Sequence, residues 1–185
     1  MFAGILACSP RSSIAQERAE DSANSWKTTL NMIRARFPAV AHVPTDTLQS
    51  WLDESPKRED LILLDVRKSE EYAVSHLLGA RAASSKDEAM RILRGVPANR
   101  RIVVYCSVGY RSSELAEFLM KTGFTEVYNL EGSIFRWANE GRTVYRAEER
   151  VRVVHPYDSY WGRLLKKPLR QAGQTESRAK RATSQ

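Results

Sequence analysis

Cys106-Ser107-Val108-Gly109-Tyr110-Arg111 is the stretch of this chain whose residue types and spacing could do chemistry. A cysteine reacts as its thiolate, and thiolates are favoured beside fixed positive charge and helix N-termini. Gly109 permits the tight or positive-φ turn that would let the chain curl around the sulfur. The backbone N–H groups of Ser107, Val108, Gly109, Tyr110 and Arg111 would then point at one spot, reinforced by a helix beginning near Ser112. Such a cradle favours a thiolate and any anion or anionic sulfur bound there, and Arg111 adds a fixed charge at its rim.

The flanking residues would position that loop. Arg101-Ile102-Val103-Val104-Tyr105 is an apolar, β-branched run bounded by charge, and reads as a buried parallel strand. Ser112 to Lys121 reads as a helix, with Leu115, Ala116, Phe118 and Leu119 on one face and Gly123 placed to stop it. Cys106 therefore falls where a strand ends and a helix begins, the place where open α/β sheets put their ligands.

The same alternation runs through the chain. Leu61-Ile62-Leu63-Leu64 reads as a second buried strand ending at Asp65, and Glu126 to Leu130 as the last; short strands are expected at Val43 and after Gly79. Trp26, Leu30, Ile33 and Phe37 recur at helical spacing, predicting an amphipathic helix within residues 25–42 that ends before Pro38. Thr45 and Ser69 look like helix N-caps, and Ser85 with Glu88 like a capping box for a helix ending at Gly95. A final helix is expected from Ser133 to Glu140, with Ile134 and Trp137 inward. Buried strands alternating with short helices argue an α/β domain, its mostly parallel sheet covered on both faces.

Four stretches together carry a family resemblance. Cys-Ser-Val-Gly-Tyr-Arg-Ser resembles the active-site loop of the rhodanese-like sulfurtransferases. Asp65-Val66-Arg67 with Glu71-Tyr72, His76-Leu77-Leu78-Gly79-Ala80, and Leu130-Glu131-Gly132 with Trp137 match the family pattern in order and spacing over residues 43–142. The resemblance implies a rhodanese-like three-layer domain with a five-stranded central sheet and helices on both faces. It implies that Cys106 carries a persulfide and that Arg111 supports donor and loop. Ser107, Val108, Gly109, Tyr110 and Ser112 would form the substrate cradle, with Asp65 and Arg67 organising its surroundings. An ordinary ion pair or strand-end turn accounts for Asp65 and Arg67 equally well. His76, a lone histidine without a nearby carboxylate partner, reads as a packing residue in a turn.

The implied reaction moves a sulfane sulfur from a small anionic donor such as thiosulfate to a thiol, cyanide or thioredoxin-like acceptor, without a cofactor. This sequence departs from the family pattern at Ser107, where a basic residue is frequent, at the bulky Tyr110, at Leu78 in place of proline, and at Ser133 in place of a second glycine. Two other readings remain open. One is a catalytically quiet binding or sulfur-relay module. The other is a phosphatase or arsenate reductase, whose loops have one residue more to take a tetrahedral oxyanion.

Composition adds bounds. With 185 residues, 42% hydrophobic and 28% charged, the chain is long enough for one domain with extensions and a real core. Two cysteines, Cys8 and Cys106, make no disulfide framework, and His42, His76 and His155 lack ligand spacing, so no metal site is expected. The chain has a net charge of +7, and residues 163–185 hold seven basic residues against one acid, Glu176, so that this segment carries +6 of it. That segment reads as a solvated, disordered tail, expected to make weak contact with anionic surfaces rather than to form a specific nucleic-acid site. Residues 1–24 read as an apolar and then polar, poorly ordered extension, and residues 143–162 as an aromatic-rich arm docked on the domain. A cytoplasmic location is expected. The alternative is a lipid-anchored or periplasmic protein, if an upstream start makes Cys8 a lipoprotein cysteine.

Overall fold

A computed structural model describes residues 10–54 and 60–171. Its centre is a five-stranded sheet built from β1 (Ala41–Val43), β2 (Leu61–Asp65), β3 (Arg81–Ala82), β4 (Arg101–Tyr105) and β5 (Val127–Leu130). The strands lie in the order β1-β5-β4-β2-β3, and every neighbouring pair is parallel. Around them pack α1 (Pro10–Arg36), α2 (Thr45–Glu54), α3 (Ser69–Val74), α4 (Lys86–Ile92), α5 (Tyr110–Lys121) and α6 (Ser133–Asn139).

The two-residue period of the strands divides the core. Leu61, Leu63, Val103 and Tyr105 face one layer, where α2 supplies Leu48 and α6 supplies Ile134, Phe135 and Trp137. Leu64, Ile102, Val104 and Cys106 face the other, against Ile33 of α1 and Phe37 just after it, Ala89 of α4, and Leu115, Ala116 and Leu119 of α5. Each fully buried Leu or Ile contributes about 1.5–3 kcal/mol, so β4, buried on both faces, anchors the fold. Its register sets Leu64 beside Val104 and Asp65 beside Tyr105, which brings the ends of β2 and β4 level. The loops that follow these strands therefore gather at one edge of the sheet.

Several local expectations are corrected. Residues 10–24 are not irregular but belong to α1, which starts at Pro10. Proline suits a helix's first turn, the sequence after it is rich in helix formers, and Ile33 and Phe37 dock the far end. Thr45 is the first helical residue of α2 rather than its cap. The Leu48 N–H already bonds the Pro44 carbonyl, and the Thr45 hydroxyl donates to Glu140 instead. Lys68, not Ser69, is the N-cap of α3, and Glu71 reaches back to accept from its N–H at 3.1 Å. Ser85 caps α4 as expected, although that helix ends at Ile92, short of Gly95. α5 starts two residues before Ser112, at Tyr110.

The C-terminal region departs most. A hairpin of β6 (Val144–Arg146) and β7 (Glu149–Val151) precedes an arm with two 3-10 turns, Trp161–Leu164 and Lys167–Leu169. Leu164 and Leu165 are buried in the core on the α2 and α6 face. The Asn139 amide donates to the Leu164 carbonyl at 2.7 Å and its Oδ1 accepts from the Lys166 N–H at 2.8 Å. Residues 163–171 are thus docked structure rather than tail, because two leucines among the basic residues find an apolar site. The remaining tail with Arg178, Lys180 and Arg181, like Cys8, lies outside the described residues. Among the described residues no helix is long and apolar enough to cross a membrane.

Candidate active site

Cys106 sits directly after β4, 1% exposed. Gly109 takes φ +117°, and this turn brings its N–H to 3.1 Å from the Cys106 sulfur. The positive φ favours glycine, and a Cβ at position 109 would also crowd the Asn129 side-chain nitrogen at 3.1 Å. The start of the loop is gripped by α6. Ile134 and Phe135 donate their N–H groups to the carbonyls of Cys106 and Ser107 at 3.2 and 3.1 Å. The Ser133 hydroxyl accepts from the Cys106 N–H at 3.1 Å. Gly132 and Ser133 both adopt left-handed backbone, φ 68° and 51°, which turns the α6 N-terminus toward the cysteine.

Arg111 is held by α3. Its two terminal nitrogens donate to the Glu71 carboxylate at 2.8 and 2.9 Å, and one of them also donates to the Ser107 hydroxyl at 3.1 Å. Ser107 donates in turn to Glu71 at 3.1 Å. The Tyr157 ring covers the guanidinium, its centroid 4.6 Å from the Arg111 Cζ. Burial pushes the Cys106 thiol up. The Arg111 charge and hydrogen bonds from Ser112 and the Gly109 N–H more than reverse this, so the thiol lies below its ordinary range. Burial likewise pushes the Glu71 carboxyl up, and its bonds to Arg111 bring it below the usual carboxylate range.

From Ser112 beside the sulfur a polar chain runs through buried Asn129 to half-buried His42. The Ser112 hydroxyl donates to Asn129 Oδ1 at 2.6 Å, and the Asn129 amide nitrogen lies 3.1 Å from His42 Nδ1. Beside Arg111 a cavity of about 280 Å3 opens, lined by Val66, Ala83, Ser84, Ser85, Lys86, Glu114 and Leu115 as well as Arg111. A larger space of about 610 Å3 between α1 and the Trp161 turn touches no residue of the loop.

The comparisons with known proteins fall on these same elements. The rhodanese-like domain family matches residues 48–140, from α2 to the end of α6. The chain belongs to the rhodanese-like family. Over 109 residues it is 32% identical to a protein of Allochromatium vinosum named "Sulfurtransferase", covering 59% of this chain and 98% of that one. It is 35% identical over 94 residues to the "Probable adenylyltransferase/sulfurtransferase MoeZ" of Mycobacterium tuberculosis, which is half of this chain but only 23% of that protein. The crystal structure of a thiosulfate sulfurtransferase from Pseudomonas aeruginosa superposes with a TM-score of 0.55 at 18% identity, over 71% of this chain and 25% of that one, a likeness of fold.

Within this rhodanese-like site the residues singled out by sequence divide. Cys106, Ser107, Gly109, Arg111 and Ser112 come together around the sulfur. Val108 turns its side chain into the core beside α6, leaving only its backbone for the loop. Tyr110 is 37% exposed and packs edge-on against Phe37 at 5.2 Å between ring centroids, so its bulk faces α1. Asp65 and Arg67 form a fully buried ion pair in which Arg67 also donates to the Ser75 carbonyl. Beside them the Tyr105 hydroxyl accepts from the Leu77 N–H at 3.0 Å. Among the described residues the pair makes no hydrogen bond to Cys106 or Arg111, so its support of the site is architectural. His76 stacks on Tyr72 with ring centroids 4.0 Å apart, a packing role. Glu71, Asn129, His42 and Tyr157 were given no role by sequence. For Glu71 a signal existed, an acid four residues after Arg67 in the first turn of a helix. For Tyr157 none did.

Proposed function

We propose that this protein is a sulfurtransferase that carries a sulfane sulfur on Cys106. One observation carries the reading: a thiol at the end of the central strand, its sulfur bonded by the Gly109 N–H and its ionisation favoured by Arg111. In the first step the Cys106 thiolate attacks the outer sulfur of thiosulfate. The new S–S bond forms as the S–S bond of the donor breaks, and sulfite leaves with the electron pair. In the second, cyanide or a thiolate attacks the terminal sulfur, giving thiocyanate or a new persulfide and returning the Cys106 thiolate. The loop N–H groups stabilise the anionic sulfur between the steps.

The site favours a small donor. Arg111 is occupied by Glu71 and Ser107, so its charge acts on the cysteine more than on an incoming anion. Lys86, on the wall of the adjoining cavity and 3.6 Å from Glu114, is a further cation near a bound dianion. The acceptor is a small thiol, cyanide or the exposed cysteine of a thioredoxin-like protein.

Mass spectrometry of the intact protein after thiosulfate tests the reading. One added sulfur in the parent, located on the Cys106 peptide and absent from Cys106→Ser, is the expected result. No sulfur on Cys106, with either thiosulfate or a persulfide donor, would leave a binding module as the better reading. Hydrolysis of a small aryl phosphate without persulfide formation would instead favour a phosphatase.

A further inference from the structure

The arm after the hairpin carries the aromatic run His155-Pro156-Tyr157-Asp158-Ser159-Tyr160-Trp161, and the fold fastens it on both sides. Val154 is fully buried, donating its N–H to the Leu169 carbonyl at 2.7 Å and accepting from the Gln171 N–H at 3.1 Å. Asp158 accepts from the Trp161 N–H at 2.7 Å. Gly162 approaches Pro156 so closely that a Cβ there would lie 3.1 Å from its carbonyl oxygen. Between these anchors Tyr157 has φ 64°, left-handed backbone that a residue with a Cβ holds only where its surroundings impose it. The His155 ring helps impose it, its Nδ1 accepting the Tyr157 N–H at 2.9 Å.

What this strained backbone delivers is the phenol ring on the face of Arg111. The guanidinium is then bonded by Glu71 and Ser107 and sits over the Tyr157 ring. An aromatic face attracts a guanidinium and keeps water from the part it covers, and a charge less exposed to water acts more strongly on its neighbours. We propose that Tyr157 is a positioning residue for the Cys106 nucleophile. By holding Arg111 in place and covering part of it, Tyr157 strengthens the pull of that charge on the sulfur, which makes the C-terminal arm a working part of the site. The proposal rests on the reading that Cys106 reacts as a thiolate.

Among the described residues, the titratable and charged groups facing Arg111 and the sulfur are Arg111 itself from α5, Glu71 from α3 with Arg67 near it, Lys86 and Glu114 on the wall of the adjoining cavity, and His42 from β1 beyond Asn129. Glu131 and Arg34 stand near His42, and His155 and Tyr157 come from the arm. Glu71 and Tyr157 both touch Arg111, and the Tyr157 ring should act on the sulfur through that charge.

The test is the pH dependence of Cys106 alkylation by iodoacetamide in the full chain. It is followed by mass spectrometry on the Cys106 peptide, which separates the signal from Cys8. Glycine suits the left-handed backbone, so Tyr157→Gly removes the ring without straining the arm. Its alkylation midpoint should rise by about half a pH unit, with alkylation about threefold slower below the midpoint. Tyr157→Phe should keep the parent midpoint, since the ring face and not the hydroxyl meets Arg111. Should Tyr157→Gly fail to fold, Tyr157→Leu, apolar but without a ring, is read the same way. A parent midpoint in the ringless variant, or an equal rise in Tyr157→Phe, would overturn the proposal. Because alkylation needs no sulfur donor, the outcome stands apart from whether thiosulfate yields a persulfide.

Discussion

The carboxylate of Glu71 and the guanidinium of Arg111 bond side by side, at 2.8 and 2.9 Å, but they are not equally buried. The Glu71 side chain is 2% exposed and that of Arg111 28%. Losing Arg111 therefore strands a carboxylate in the protein, whereas losing the Glu71 charge leaves a guanidinium that can still reach water. Arg111→Ala should cost about 2–3 kcal/mol of stability and Glu71→Gln about 1 kcal/mol, read from urea unfolding at neutral pH. A larger loss in Glu71→Gln would mean that the guanidinium, not the carboxylate, is the poorly hydrated partner.

The same pair should leave a signature in acid. The folded Glu71 carboxyl lies below its ordinary value of 4.5, so its contribution to stability is fully present above that value and is lost as pH falls through the lower folded one. The stability gap between parent and Glu71→Gln should therefore be constant from neutral pH down to about 5 and close progressively below it. A gap that persisted unchanged at about pH 2 would place its origin in shape rather than charge.

Cys106 itself should titrate below the ordinary thiol range. Sulfur transfer limited by the thiolate should rise with pH through that depressed value and level off before an unperturbed cysteine would have ionised. Cys106→Ser should abolish turnover while leaving the thermal melt within a few degrees of the parent. Arg111→Lys should retain more activity than Arg111→Ala, though well below the parent, since an ammonium cannot span Glu71 and Ser107 together.

Ser133 stands where the family often has glycine, and its left-handed backbone explains that preference. Here the hydroxyl takes the N–H of Cys106, a contact glycine could not make. Ser133→Ala should cost about 1–2 kcal/mol and reduce turnover, because the Cys106 N–H is left buried without a partner. Ser133→Gly should recover some of that stability through its easier backbone, but not the turnover. Chemical denaturation and steady-state thiosulfate assays on the two variants separate the effects.

Much of this was legible because it is local. The runs Leu61–Leu64 and Arg101–Tyr105 announced buried strands by being short, apolar and bounded by charge. The cysteine loop announced itself through one glycine and one arginine within a single turn. The caps at Thr45 and Ser69 slipped by one residue because either neighbour could begin the helix: the Thr45 hydroxyl is taken by distant Glu140, and Glu71 accepts from the Lys68 N–H instead. Glu71 reaches Arg111 across a separation of 40 residues, and no local pattern encodes that meeting. The arm was the hardest part. Basic residues at Arg163, Lys166 and Lys167 spoke for solvent, while the deciding signal was the pair Leu164 and Leu165, which acquires meaning only from the apolar face that receives it.

That pair fixes where the chain can be shortened. A basic tail of no structural consequence would allow truncation after Gly162, but Leu164 and Leu165 are buried, and Val154 is pinned by the backbone of Leu169 and Gln171. Ending the chain after Gly162 removes both leucines and both backbone bonds. It should cost about 3–5 kcal/mol, since two buried leucines and a hydrogen-bonded bridge are lost together. It should also loosen Tyr157 from Arg111, so that turnover falls along with stability. Ending it after Gln171 keeps every one of these contacts and removes only Arg178, Lys180 and Arg181 from the basic set. That shorter chain should match the parent in melting temperature and in thiosulfate turnover, and should bind anionic vesicles less at low salt. Thermal melts and turnover of the two truncations, run side by side, check the division. Equal behaviour of both would mean that the docked leucines contribute nothing to the site or to the core.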